Sequence, residues 1–131
     1  IGGLAVNIYG YTRNTGDIDI LLEDTTENRI NLRAAFKQIG IGDFPQIETM
    51  QFVAGYTDFT ISYDLRLDVM TSIKGLENAN FDELLQNATI VYLNEVPVYF
   101  IDYDSLILAK KATNRLKDQL DIEELNKLNN K

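Results

Sequence analysis

Thr15-Gly16-Asp17-Ile18-Asp19-Ile20-Leu21-Leu22 is the stretch on which the fold turns. Side chains alternate along a strand, so Asp17, Asp19 and Leu21 share one face while Ile18, Ile20 and Leu22 share the other. The second face is apolar throughout and needs a covering layer. The first carries two carboxylates one strand repeat apart, roughly 6.6–6.8 Å between Cα atoms. Such a pair repels unless a cation sits between or beneath it. The alternative is the solvated face of an amphipathic strand, an arrangement common on half-exposed sheets.

Downstream, Asp24-Thr25-Thr26-Glu27 resembles a capping box and opens a helix to about Ile39. Leu32, Ala35, Phe36 and Ile39 form its expected buried stripe, with Gly40 and Gly42 ending it. Residues 43–57 carry no regular pattern. Period two returns over 58–70, where Phe59, Ile61 and Tyr63 alternate, followed by Leu65, Leu67 and Val69. Tyr63-Asp64 then turns a hairpin or bends one long strand. A short helix is expected over 81–86, a strand pair over 89–93 and 96–101 through Asn94-Glu95, and two helices over 104–114 and 116–128. At the other end, Leu4, Ala5 and Ile8 fit a short helix stopped by Gly10. The expected fold class is α/β (α+β): a mixed sheet flanked by helices, closed by a C-terminal helix pair, in one domain spanning 1–131. The chain opens at Ile1, and its start is expected to lie inside an element, with part of an N-terminal strand missing.

Composition narrows the chemistry. The 131 residues hold no cysteine and no histidine, with a net charge of −8. Thiolate and imidazole sites are excluded, so acid–base or metal work falls to carboxylates, Lys or Tyr. Oxygen-only ligands favour Mg²⁺ or Mn²⁺. The acidic balance offers no evident surface for duplex or long RNA. No apolar run nears a membrane span, and a reducing, cytoplasmic setting is the simple reading of the missing cysteines.

Asp68, in Leu67-Asp68-Val69, is a further carboxylate in an otherwise apolar strand. A neighbouring strand that brings it beside Asp17 and Asp19 lets three oxygen donors converge on one or two divalent ions, the arrangement that serves in-line phosphoryl displacement. A lone strand Asp otherwise faces water. Gly2-Gly3 precedes a helix, where glycine backbone N–H groups can approach a phosphate, although a Gly-Gly pair is also an ordinary turn. No Gly-Lys-Ser/Thr follows, so this is not a Walker loop. Near the C-terminus Asp118, Asp121, Leu125 and Leu128 fall on one helical stripe. Two acids on the leucine face ask for a cation, and Lys110 or Arg115 is the natural candidate. A buried salt bridge between helices and a nucleotide-phosphate role both fit Lys110, with Lys111 next door.

Gly2-Gly3, a spacer, then Thr15-Gly16-Asp17-Ile18-Asp19-Ile20 resembles the signature of the polymerase β-like nucleotidyltransferase superfamily. Tyr11-Thr12-Arg13-Asn14-Thr15 is similar to the Arg-x-Thr-x-Asp-h-Asp form of its small bacterial branch, which includes antibiotic nucleotidyltransferases and abortive-infection toxins. The likeness covers residues 2–20 well and 65–70 loosely. The segment from Lys110 through Arg115, Asp118 and Asp121 resembles a helical segment of the toxin-like members. The resemblance implies Mg²⁺-dependent (or Mn²⁺-dependent) transfer of a nucleoside monophosphate from an NTP to an acceptor hydroxyl. Asp17, Asp19 and Asp68 would be the catalytic and metal-holding residues, and Gly2, Gly3, Arg13, Thr15 and Lys110 would bind the nucleotide. The acceptor, whether small molecule, tRNA or protein, is not readable. An antitoxin partner and a homodimer are both compatible with the branch, and no membrane partner is implied. Many members carry Ser where Gly3 stands, which removes a hydroxyl contact to phosphate. The alternative is a catalytically silent domain of this type acting as antitoxin, scaffold or nucleotide-binding module.

Overall fold

The computed structural model describes residues 1–13, 16–52 and 57–129. Its elements run α1 (Gly2–Ile8), β1 (Asp17–Leu21), α2 (Thr26–Gln38), a 3₁₀ turn (Pro45–Glu48), β2 (Thr57–Ser62), β3 (Leu65–Met70), α3 (Phe81–Asn87), β4 (Thr89–Leu93), β5 (Val96–Phe100), α4 (Tyr103–Thr113) and α5 (Leu116–Asn129). The architecture is mixed α/β with a C-terminal helix pair. Strands β1, β3 and β2 form one sheet in that order, β1–β3 parallel and β3–β2 antiparallel. The β4–β5 hairpin forms a separate two-stranded sheet rather than joining the first. Its turn residues Asn94 and Glu95 both have positive φ, at 50° and 68°, the backbone that a two-residue hairpin loop requires.

The alternation expected for β1 is realised. Ile18, Ile20 and Leu22 pack with Phe36, Ile47, Leu67 and Val69 on one side of the three-stranded sheet. Leu21 and Met70, paired in register at the strand ends, reach the opposite cluster built on Ala5, Val6, Leu106 and Leu125. The sheet therefore separates two apolar layers. The second layer lies on the same sheet face as Asp17, Asp19 and Asp68.

Four local expectations are corrected. The cap of α2 is Thr25, whose hydroxyl accepts from Asn28 N at 3.1 Å, because Asp24 is held by Arg29 at 2.6 Å. Ala35 and Ile39 do not join the buried stripe of α2, and Ile39 is 60% exposed. The three-stranded sheet is narrow, and Phe44 and Ile47 already fill the space below the helix end. Gly40, at φ 84°, turns the chain so that Ile41 packs inward in place of Ile39. Tyr63 sits fully exposed in the β2–β3 turn, beyond an irregularity between Thr60 and Ser62 that ends the alternation. In α5 the buried face stops at Leu125, and Leu128 is 55% exposed in a last turn that overhangs the core.

Candidate functional site

Parallel pairing of β1 with β3 puts Asp19 directly opposite Asp68, and Asp17 opposite Arg66. The antiparallel β2–β3 pair adds Asp58 opposite Asp68. Three strands thus present Asp19, Asp68 and Asp58 in one row and Asp17, Arg66 and Thr60 in the next. Asp58 and Arg66 escaped the sequence reading. The period-two pattern over 58–70 marked the face on which both lie, but strand register alone brings them beside the aspartates.

Asp68 is 6% exposed, and its Oδ1 has no hydrogen-bond partner. Burial lifts its carboxyl above the usual range, and the negative charges of Asp19 and Asp17 add to this, with a hydrogen bond to Asp19 contributing and Arg66 opposing. Such a group seeks a proton or a cation. Asp17 is engaged by Arg66, whose Nε and Nη2 lie 3.2 and 3.4 Å from its two oxygens.

Helix α1 delivers the glycines. Gly2 opens it at φ 64°, and a Cβ there would fall 2.1 Å from Asp19 Oδ2. Only a residue without a side chain lets the helix start press against that carboxylate. Gly2, Gly3, Asp17, Asp19 and Asp68 all border one cleft of about 880 Å³. Arg13, Arg66, Lys74, Lys110, Arg115 and Lys117 border it too, which is half of the chain's twelve Lys and Arg. Asp17, Asp19, Asp68, Glu77 and Asp118 border it as well, so the cleft is close to neutral in a protein of charge −8 and repels a polyanion less than the protein's overall charge would.

The far wall of the cleft is a buried ion network between α4 and α5. Lys110 Nζ lies 3.2 Å from Asp118 and 2.9 Å from Asp121. Arg115 reaches Asp118 at 2.7 Å, and Thr113 donates to it at 2.8 Å. Burial alone would raise Asp118, but the hydrogen bonds from Arg115, Thr113 and Lys110 outweigh it and hold the carboxyl far below its usual range. Arg13 forms a two-pronged pair with Asp121, both contacts at 2.9 Å. Lys110 and Arg13 thus border the cleft with their charges already matched by buried acids. Lys111 is exposed, and Thr15 lies outside the described residues. Lys74 and Lys117 make no ion pair among the described residues and stand exposed at the cleft.

The donor set suits a hard divalent cation: oxygen ligands only, one of them a buried carboxylate oxygen without a donor. Among the described residues, however, no three acidic side chains are already gathered as a coordination sphere. Asp68 does come alongside Asp19, as expected, while Asp17 is drawn towards Arg66. No family model, curated protein or solved structure matches this chain. Its class therefore rests on geometry: a mixed α/β protein whose sheet presents one buried and two partly exposed acids to a cleft lined by both charges. No helix among the described residues is long and apolar enough to cross a membrane.

Proposed function

We propose that this protein transfers a nucleoside monophosphate from an NTP to an acceptor hydroxyl in a divalent-cation-dependent reaction. The observation that carries the reading is the in-register Asp19–Asp68 pair, with the glycine start of α1 pressed against Asp19 in the same cleft. The resemblance of residues 2–20 to polymerase β-like nucleotidyltransferases supports it. The bond between the α-phosphorus and its bridging oxygen breaks, the acceptor oxygen bonds to that phosphorus, and pyrophosphate leaves.

Asp17, Asp19 and Asp68 would hold Mg²⁺ or Mn²⁺, which supplies charge neutralisation for the phosphates. Asp68, as an ionised carboxylate beside the attacking hydroxyl, would accept its proton. Backbone around Gly2 and Gly3 approaches the phosphates without a side chain in the way. Lys74 and Lys117, exposed at the cleft and outside the ion pairs of the described residues, attract the triphosphate, while Lys110 and Arg115 stiffen the wall behind it. Acceptors of small-molecule, tRNA or protein type all remain within this scheme.

The test is incubation of the protein with each α-labelled NTP and Mg²⁺, followed by a search for label on an acceptor or on the protein. Transfer should vanish in Asp17→Asn. NTP binding without transfer would favour the silent nucleotide-binding module, and absence of Mg²⁺-dependent binding to any NTP would remove the reading. Binding stabilises the fold by about 2.7 kcal/mol at a hundredfold excess over Kd, so thermal shift is a sensitive first measurement.

A further inference from the structure

Arg66 is the one described cation ion-paired to the acidic sheet face. Its guanidinium spans both oxygens of Asp17, at 3.2 and 3.4 Å, and its Nη1 lies 3.7 Å from Asp58 Oδ2. Asp17, Asp19, Asp58 and Asp68 thus share a face with a single paired cation among the described residues. Next to it, the 94%-buried Asp68 borders the cleft, and its buried Oδ1 has no hydrogen-bond partner. A two-pronged guanidinium takes up one lone pair on each carboxylate oxygen and sets a positive charge beside them, so a second cation meets repulsion at Asp17 while Arg66 stays. The pair is half exposed, with Arg66 at 49% and Asp17 at 40%. Ion pairs so open to water are weak, which makes this one displaceable by a divalent ion.

From this geometry we infer that Arg66 is a resident counter-ion of the site: it occupies Asp17 in the cation-free protein and yields that carboxylate when a divalent cation enters beside Asp19 and Asp68. The inference rests on the metal-dependent reading above. Arg66 is accordingly a positioning residue. It sets the affinity for the cation without ligating it.

Mn²⁺ titration of the full chain, read from the electron paramagnetic resonance signal of free Mn²⁺, tests this without any activity assay. Arg66→Gln should bind Mn²⁺ about fivefold more tightly than the wild type, the factor expected for one near-surface charge pair. Arg33→Gln makes the same change in net charge on α2, where Arg33 pairs with Asp43 and Glu48, and should stay within about twofold. Arg66→Lys keeps the charge without the fork and should fall between. The gain from Arg66→Gln should disappear in an Asp17→Asn background. Equal or weaker Mn²⁺ binding by Arg66→Gln overturns the counter-ion role while leaving the cation site standing. Binding by Arg66→Gln alone supports it, and no binding by either protein removes both readings.

Discussion

Asp68 carries a raised carboxyl, so the folded state prefers it protonated and its ionisation works against the fold. Its favourable contribution is present below the ordinary carboxylate pKa of about 3.9 and is lost as pH rises through the lifted value. Asp68→Asn should therefore raise the Tm by a few degrees at pH 7, and the gain should shrink towards pH 4. Mg²⁺ should stabilise the wild type and leave Asp68→Asn unmoved. A neutral or lower Tm for the variant at pH 7 would contradict the assigned burial cost. Gly2→Ala tests the other side of the pair. Both Gly2 and Gly40 have positive φ, but a Cβ at Gly40 meets nothing within 4 Å. Each alanine should cost about 1–2 kcal/mol from backbone strain. Gly2→Ala should cost more than Gly40→Ala, since it also pushes Asp19 aside, and it alone should abolish Mg²⁺-dependent stabilisation. The aspartates and Gly2 were legible in the linear chain because acids in apolar strands and paired glycines violate the local pattern. Arg66 and Asp58 were not, since each looks like an ordinary exposed strand residue until its cross-strand neighbour is known.

The α4–α5 pair is held by charge as much as by Leu106 and Leu125. Removing Lys110 leaves Asp118 and Asp121 buried with only Arg115 and Arg13 to match them. Breaking a buried pair this way costs about 3–5 kcal/mol, comparable with about 2–5 for Leu125→Ala. The two variants should part with pH. Asp118 is held below its unfolded value, so the stability it lends is present above about pH 4 and drains away as pH falls further. Lys110→Met should be most destabilised at pH 7, and its deficit should begin to narrow only as pH falls below about 4 in urea titrations, whereas the deficit of Leu125→Ala should persist. Here the three- and four-residue spacing of acids and leucines forecast a cationic partner, Lys110 or Arg115, and the fold engages both. Arg13 was missed as a third member because it arrives from a loop 108 residues away in the chain.

Across the protein as a whole, six basic and five acidic residues border one cleft while the net charge stays at −8. Attraction of a polyanion to that cleft is then local and screened by salt, so NTP binding should weaken about tenfold between 50 and 500 mM NaCl. A salt-independent Kd would mean that the cleft cations stay with their own carboxylates. Element types, the alternation of β1 and the helix-pair ion network could be read from the order of residues, because local periodicity and the cost of buried charge are properties of short segments. Which strand lies beside which, that β4–β5 stands apart as its own sheet, and that Arg66 meets Asp17 came from the folded chain alone. Those contacts join residues tens of positions apart, and their energy exists once register is set and not before.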